Sequence, residues 1–383
     1  MLKNLIILFL LFPATVFAQS VITGSVLTKA GNAVPDASVF LSNASVGSKT
    51  LENGAFTLNN VKYGQYDLVV SCIGFETYHE TVLVNAEAIA LPAIHLSPKI
   101  TELKEVTIQY DSNRDRHVKM FLDEFLGHSE NAMQCKLLNP EILNLTFEKS
   151  TGKLTGSTDD FLVIENKALG YNIKYLLASF EWDPQRGYVS YTGSSVFEPM
   201  TGKSSDEKRW QKARIKAYRG SDMHFLRACI GQQVAEEGFT VYPVIRKPNP
   251  DRPADSLIRA KLQKFRPAGS TRILLMTDSL RYWSEKSRLP KYIDIMNNTP
   301  IKSADYIKLT QKKGIYAFGY PNLLRIHYKS TGNSSMVTFE KEYAYFDNNG
   351  IILTPHYVLI EGSWAFNRIA ELLPVDYELP ATF

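Results

Sequence analysis

Histidine and glutamate at short helical spacing are the usual protein ligands of a catalytic zinc ion. None of the seven histidines in this chain is followed by glutamate three residues later, and no His-Glu-x-x-His sequence occurs. The seven are His79, His95, His117, His128, His224, His327 and His356. The sequence therefore offers no ligand set with the spacing that catalytic zinc requires, and we expect no metal and no cofactor.

Sequences that position a nucleophile or a phosphate group are also missing from the chain. It contains neither a Gly-x-Ser-x-Gly elbow nor a Gly-x-Gly-x-x-Gly loop. Gly202-Lys203-Ser204 imitates the end of a phosphate-binding loop, but Phe197 stands where the first glycine belongs. Pro199 would also remove one backbone N–H from the phosphate cradle. We interpret this stretch as the start of a helix.

Acidic pairs could serve as general acid and base or as calcium ligands. Asp159 and Asp160 lie in a polar turn, and Asp347 precedes two asparagines without the spacing of a calcium loop. Solvated turns explain both groups. One alternative stays open: a hydrolase, either peptidase or glycosidase, whose site gathers distant residues such as Asp159, His224 or Glu361.

Basic residues form the clearest charge pattern. Residues 203–220 and 246–266 each carry seven Lys or Arg against two acidic residues. Such surfaces fit anionic lipid headgroups, acidic glycans or a partner protein, although a solvated helix face gives the same pattern. The candidate partner surface is Lys208, Arg209, Lys212, Arg214, Lys216 and Arg219. The net charge of +4 is too small to indicate a nucleic-acid partner.

The first hundred residues read as short alternating strands separated by turn residues, which is typical of a β-sandwich or barrel. In the strand that begins at Tyr66, the side chains of Leu68, Val70 and Cys72 share one face. The dipeptide Asn53-Gly54 supplies the positive φ angles that a tight hairpin needs. We predict one compact sandwich over residues 19–97.

Five blocks of this stretch, in order, resemble the carboxypeptidase regulatory-like domain. They are Ile-Thr-Gly-Ser-Val at 22–26, Val-Pro-Asp-Ala-Ser-Val at 34–39, Thr-Leu-Glu-Asn-Gly-Ala-Phe at 50–56, Tyr-Asp-Leu-Val-Val-Ser-Cys-Ile-Gly-Phe at 66–75, and Leu-Lys-Glu-Val-Thr-Ile at 103–108. The resemblance implies a transthyretin-like sandwich of seven antiparallel strands. In relatives this module accompanies metallocarboxypeptidase domains or precedes the plug of TonB-dependent outer-membrane transporters. It is an accessory there, and the His-x-x-Glu pair of zinc carboxypeptidases does not occur here.

Residues 1–18 have the organisation of a signal peptide. Lys3 supplies the positive charge, residues 5–12 are apolar, and Val16-Phe17-Ala18 precedes a predicted cut. We expect an exported protein in the periplasm or at the periplasmic face of the outer membrane. Peripheral association with the membrane is compatible with this address.

The three cysteines are an odd number for an oxidising compartment. Cys72 alternates with core residues and is expected to be a small buried hydrophobe. Cys135 and Cys229 could form a disulfide, and the sequence leaves this pairing open.

After the sandwich, residues 98–116 are predicted as a connecting strand and linker, and 117–383 as an α+β domain. Whether the latter forms one domain or two stays open. Helical spacing begins at Val118, and a helical insert is expected over 204–238. The main predicted strands are 142–148, 161–165, 171–182, 188–197, 239–245, 271–282, 316–328, 336–346 and 351–361. The tail from Gly362 to Tyr377 is interpreted as a closing element.

These patterns predict a mainly β protein: an antiparallel sandwich followed by mostly antiparallel sheet with a helical insert. Because every catalytic motif tested fails, we expect a non-catalytic envelope protein with a binding or scaffolding role, associated with outer-membrane transport. Its partner would be an envelope protein or a glycan. A structural component of the envelope and the hydrolase are the alternatives.

Overall fold

The computed structural model describes residues 20–85, 87–99, 113–265 and 278–380. Alternating apolar residues near the N-terminus form eight short strands, packed as two four-stranded sheets. The strands are β1 (Ser20–Thr28), β2 (Ser38–Leu41), β3 (Gly47–Lys49), β4 (Ala55–Val61), β5 (Gly64–Ser71), β6 (Tyr78–Val84), β7 (Ile89–Ala90) and β8 (Ile94–Leu96). In one sheet β1 pairs with β4, β7 and β8, and in the other the order is β3-β2-β5-β6.

The two sheets enclose one hydrophobic core, to which β1 contributes Ile22 and Val26 and β5 contributes Leu68 and Val70. The end of this domain differs from the seven antiparallel strands that the resemblance implied. Its last segment is divided into β7 and β8, and both run parallel to β1. Pro92 lies between them, and since proline lacks a backbone N–H it interrupts the ladder.

A second layer is a six-stranded sheet covered by a helix. Its elements are α1 (Arg114–Leu126), β9 (Cys135–Leu137), β10 (Asn144–Glu148), β11 (Lys153–Ser157), β12 (Phe161–Asn166), β13 (Tyr171–Asp183) and β14 (Tyr188–Pro199), with 3-10 turns at Ala132–Gln134 and Pro140–Ile142. The strand order is β10-β11-β13-β12-β9, with β14 paired along β13. Phe121 and Phe125 of α1 pack on this sheet, with ring centroids 4.8 Å from Phe180 and 5.2 Å from Tyr175 respectively. The predicted linker lies mostly outside the described residues, and α1 begins at Arg114.

The remaining residues form helices and two further sheets. The helices are α2 (Ser204–Tyr218), α3 (Asp222–Ile230), α4 (Asp255–Phe265), α5 (Asp278–Arg288) and α6 (Ser303–Tyr306), with 3-10 turns at Pro355–Tyr357, Ser363–Phe366 and Ile369–Glu371. The strands are β15 (Phe239–Pro248), β16 (Tyr292–Met296), β17 (Ile307–Leu309), β18 (Ile315–Phe318), β19 (Leu323–Tyr328), β20 (Asn333–Phe339), β21 (Ala344–Asp347) and β22 (Val358–Gly362). One sheet has the order β16-β15-β19-β20-β22 and the other β17-β18-β21. Phe225 of α3 lies in their shared core beside Phe318 and Trp364.

Three predicted strands are interrupted in the structure: those over 316–328 and 336–346 are each divided into two strands, and the one over 351–361 begins only at Val358. A fourth predicted strand is a helix. Residues 271–277 lie outside the described ranges, but the rest of the strand expected over 271–282 is the start of α5. Leu280 and Trp283 are three residues apart and share a helix face, and Asp278 places a negative charge in the first turn. Both features favour a helix over a strand.

The C-terminal tail contributes to the three main hydrophobic cores. Trp364 lies in the core of the C-terminal sheets, Ile369 and Leu373 lie in that of the six-stranded sheet, and Val375 lies in that of the sandwich. The sequence-based interpretation of this tail as a closing element thus has a physical basis. Residues 117–380 contain two cores, joined by the tail.

The predicted fold class is confirmed, because the chain is mainly β with several antiparallel sheets and few helices. All three cysteines are free. Cys135 packs at the core of the six-stranded sheet and Cys229 in that of the C-terminal sheets, so they form no disulfide. Within the described ranges, no helix has both the length and the apolar character needed to cross a bilayer.

Candidate functional site

A cleft of about 1110 Å³ separates the sandwich from the rest of the chain. One wall is the outer face of β5 and β6, and the floor is the solvent-facing side of β13 and β14. Residues after β21 contribute a third side. The site is therefore assembled from segments that are far apart in sequence.

The relative position of wall and floor is fixed by a short strand-like contact. Asn43 N donates to Ser195 O at 2.6 Å, and Phe197 N donates to Ala44 O at 2.9 Å. Apolar contacts support it, because the ring of Phe40 lies 5.4 Å from that of Phe161 in an edge-to-face arrangement. The sandwich thus rests on one end of the six-stranded sheet, and the cleft opens beside this contact.

The tail ties the third side of the cleft to the sandwich. Val375 N donates to Asn43 O at 2.7 Å, and the Asp376 carboxylate accepts from Ser45 N at 3.0 Å. Lys62 Nζ donates to Asp376 O at 2.7 Å. The first bond joins two backbone groups, whereas the other two depend on the side chains of Asp376 and Lys62.

A turn of the C-terminal sheets contacts the same domain. Asn349 Nδ2 donates to Gln65 O at 2.7 Å, and Gln65 N donates to Asn348 Oδ1 at 3.3 Å. Asp347, which begins this turn, is only 7% exposed and accepts from the backbone N–H groups of Asn349 and Ile351. Burial raises the pKa of Asp347 to about 6.

Two pairs of charged groups line the cleft. His79 Nδ1 lies 2.8 Å from Asp67 Oδ2, and this hydrogen bond raises the pKa of His79 above its ordinary value. Asp159 pairs with Lys99 and accepts from Asn144 Nδ2, so its pKa is lowered, chiefly by the lysine. The walls of the cleft therefore carry both hydrogen-bond donors and acceptors.

We expect that replacing Asp67 with asparagine will move the pKa of His79 downward, back toward its ordinary value. The carboxylate stabilises the imidazolium form, and a neutral amide does not. An NMR titration of the His79 ring would measure the change. A pKa of His79 that the substitution leaves in place would contradict this role of Asp67.

The edge of β14 in the cleft carries backbone groups that no described strand pairs. Ser195 and Phe197 direct their backbone N–H and C=O groups toward residues 43 and 44. In an antiparallel strand, the backbone groups of every second residue face the same edge. Gly193 and Tyr191 therefore direct their N–H and C=O groups to that edge too. From Tyr188 to Ser194, no described strand pairs with it. Gly193 has no room for a side chain, because a Cβ there would lie 2.3 Å from Leu176 O.

The basic helix α2, predicted as a partner surface, divides into two kinds of residue. Lys208, Arg209, Lys212, Lys216 and Arg219 are exposed. Arg214 differs from these five. Its Nε donates to Leu169 O at 2.7 Å, its Nη2 donates to Gly170 O at 2.9 Å, and its guanidinium lies 3.9 Å from the centre of the Tyr171 ring.

Arg214 and the adjacent Trp210 attach α2 to the six-stranded sheet. Trp210 is buried, with Nε1 donating to Lys167 O at 3.0 Å. Gly170, at φ +69°, lies so close that a Cβ would approach Trp210 to 2.2 Å. The inward face of α2 is thus structural, and its five exposed cations stay a predicted partner surface.

The residues named for the hydrolase alternative lie in three separate environments. Asp159 lines the cleft and pairs with Lys99. His224 is buried between aromatic rings, with Nε2 bonded to Glu237 at 2.9 Å and Nδ1 accepting from a backbone N–H. Glu361 pairs with Arg246 on the C-terminal sheet. Among the described residues, no group of three or more His, Cys, Asp or Glu is arranged to hold a metal ion.

Sequence reasoning did not identify Asp67, His79 or the edge of β14 as members of a site. Asp67 and His79 are twelve residues apart on adjacent strands and match no motif. The alternation of β5 places Asp67 on the outer face, which was visible in the sequence. What covers that face was not, since the six-stranded sheet and the turn after β21 follow much later in the chain.

Comparison with solved structures gives only weak similarities. A cohesin–X-dockerin complex from Acetivibrio cellulolyticus is 16% identical over 21% of this chain, with a TM-score of 0.19. This match spans 58% of that chain, less than two thirds of its length. A protein from Bacteroides uniformis described as carbohydrate binding is 10% identical, covering 47% of this chain and 79% of that one at a TM-score of 0.18. A DUF3823 family protein from Bacteroides ovatus is 11% identical, covering 47% and 82% at 0.15.

TM-scores this low carry no argument about fold or function. A search of the curated proteins finds no match to the chain. The informative similarity is to a family profile, and it confirms the resemblance expected from the sequence blocks. Residues 22–108 match the CarboxypepD_reg-like domain family.

Proposed function

We propose that this chain is an exported, non-catalytic binding protein of the Gram-negative envelope, and that the cleft receives an extended segment of another envelope protein. The signal-peptide pattern of residues 1–18 supports export. The domain match at residues 22–108 supports an accessory role, which includes association with outer-membrane transport.

The observation that carries the proposal is the unpaired edge of β14 inside a cleft. An exposed edge presents a row of N–H and C=O groups, and an extended peptide satisfies them by adding one strand to the sheet. The contact of residues 43 and 44 with Ser195 and Phe197 already forms the first bonds of such a ladder. A bound peptide would continue it along Gly193 and Tyr191.

Side chains around this edge would supply selectivity. The side chains of Thr192 and Ser194 lie on the floor of the cleft, and Asp67 and Asp159 add carboxylate oxygens at its sides. Alternate side chains of an added strand face opposite sides, so a peptide with hydroxyl or basic residues at every second position fits these groups.

We expect that Thr192→Arg will abolish peptide binding while leaving the fold intact. Thr192 is exposed and its only described side-chain bond is to the Ser179 hydroxyl, so a bulky cation there obstructs the floor without disturbing a core. The measurement is selection of a phage-displayed random peptide pool on the purified protein, followed by binding assays of the enriched peptides on each variant.

Thr57→Arg is the matched control, because Thr57 is an exposed strand threonine on the other sheet of the sandwich. It should bind the enriched peptides like the unmodified chain. The proposal is wrong if no peptide is enriched, or if both variants bind equally. Binding of oligosaccharides in the same cleft would instead favour the glycan alternative, and turnover of peptidase or glycosidase substrates would favour the hydrolase.

A further inference from the structure

A small lobe extends from one edge of the five-stranded sheet. It comprises residues 246–265 and 278–296, that is, the end of β15, helices α4 and α5, and β16, and is called the insert lobe below. β16 pairs only with β15 among the described strands and is the edge strand of its sheet. None of the side chains of the insert lobe belongs to the three main cores.

Two arginines bond the parts of the insert lobe to one another. Arg246 forms two bonds to the Asp294 carboxylate, at 2.8 and 3.0 Å, and one to Glu361 at 2.8 Å. Arg252 Nη1 donates to three carbonyl groups at the C-terminal end of α5, and its Nη2 donates to Asp255 at 2.5 Å. These bonds join β15 to β16 and to Glu361 of β22, and α4 to α5.

That surface is strongly basic. The insert lobe carries ten Lys or Arg and five Asp or Glu, an excess of five positive charges, whereas the whole chain has a net charge of +4. Arg246, Arg252 and Lys291 are paired with carboxylates. The other exposed cations have no ion pair within the described residues: they are Lys247, Arg259, Lys264, Arg281 and Arg288.

The same lobe is also unusually apolar at its surface. It covers about a ninth of the described residues, yet it holds six of their nineteen exposed large apolar side chains. These six are Leu257, Tyr282, Tyr292, Ile293, Ile295 and Met296, and Ile245, immediately before the lobe, is exposed as well. Every residue of β16 is exposed. Register places Ile295 opposite Ile245 and Ile293 opposite Lys247, so these four side chains share one face.

We propose that the insert lobe docks on the surface of an anionic lipid bilayer. Exposed aliphatic and tyrosine side chains mixed with lysine and arginine match the headgroup region, where apolar groups enter the boundary and cations contact phosphates. The core of a protein interface is instead depleted of charge. Ile293 and Ile295 enter the headgroup layer, and Lys247 and Lys264 lie against the phosphates.

The test is sedimentation of the purified full chain with vesicles of phosphatidylcholine alone or mixed with phosphatidylglycerol. We expect binding to the anionic vesicles that weakens as salt is raised, because headgroup attraction is screened. Lys247→Glu combined with Lys264→Glu should weaken it about tenfold or more. Ile293→Ser combined with Ile295→Ser should weaken binding at high salt as well, since the apolar contact is not screened.

The matched control is Lys208→Glu with Lys212→Glu, an equal change of charge on the exposed face of α2. It should retain binding. All variants contain residues 1–18, so any contribution of this apolar segment to vesicle binding is the same in each. The proposal is overturned if the full chain ignores anionic vesicles, or if the α2 variant loses binding and the lobe variants keep it. Circular dichroism of each variant separates lost binding from lost folding. The peptide assay of the cleft is independent of this outcome.

Discussion

Replacing Arg227 with alanine is expected to lower the free energy of unfolding by about 3–5 kcal/mol. The guanidinium donates from Nε to Asn349 O at 2.8 Å, from Nη1 to Tyr377 O at 2.8 Å and from Nη2 to Val375 O at 2.7 Å. Removing it leaves three carbonyl oxygens at a partly buried junction without their donor. Each charge-assisted bond contributes about 1.5–3 kcal/mol, and their effects are not additive.

Because these bonds lie where three parts of the chain meet, Arg227→Ala should lower the free energy of unfolding more than the replacement of a surface residue does. Arg227 belongs to α3, Asn349 to the turn that contacts the sandwich, and Val375 to the tail that bonds to Asn43. One side chain therefore joins three parts of the chain. Without it, we expect the cleft to widen and the Val375 amide to lose its protection against hydrogen exchange.

Urea unfolding followed by circular dichroism gives the free energy, and hydrogen exchange of the Val375 amide reports the local effect. Arg219→Ala is the control, because Arg219 is an exposed arginine and its loss should change stability by less than about 0.5 kcal/mol. Equal stability of the two variants would contradict the role assigned to Arg227. Arg227→Lys should be intermediate, since a single ammonium cannot reach three diverging carbonyls.

Local features of the sequence predicted the sandwich well. The alternation around Leu68 and Val70 depends on neighbouring residues, and local chemistry dictates it. The Asn53-Gly54 turn is present, but only Gly54 has a positive φ, and the turn joins β3 and β4, which lie in different sheets and form no hairpin. The position of Pro92 also explains why the last segment is divided. The parallel pairing of β7 and β8 with β1 depends on how the chain returns across the domain, and spacing alone does not reveal it.

The site could not be predicted in the same way because it depends on contacts between distant segments. Asp347 and Asn349 look like an ordinary solvated turn in the sequence, and only the packing of Gln65 against them makes the turn buried. Arg214 looks like one more cation of a basic helix, until the carbonyl groups of Leu169 and Gly170 approach it. Charge patterns identify where cations are, but not which of them the fold uses.

Asp347→Asn is expected to stabilise the protein at neutral pH by up to about 3 kcal/mol, because the buried carboxylate has a raised pKa of about 6 in the folded state. Between the ordinary carboxyl pKa and about 6, the folded state binds more protons than the unfolded state. The stability contributed by this group is therefore complete in acid and is lost as the pH rises through about 6. An asparagine keeps the acceptor for the backbone N–H groups of Asn349 and Ile351 and carries no charge at any pH.

Urea unfolding at a series of pH values would test this expectation. The advantage of Asp347→Asn should disappear toward pH values well below the folded pKa, where Asp347 is protonated, whereas Asp123→Asn on the exposed face of α1 should have little effect throughout. Arg227 lowers the pKa of Asp347, so combining Arg227→Ala with Asp347→Asn should cost less than Arg227→Ala alone at neutral pH. If Asp347→Asn stabilises the protein equally at every pH, the gain does not come from removing the charge of Asp347, and the prediction is wrong.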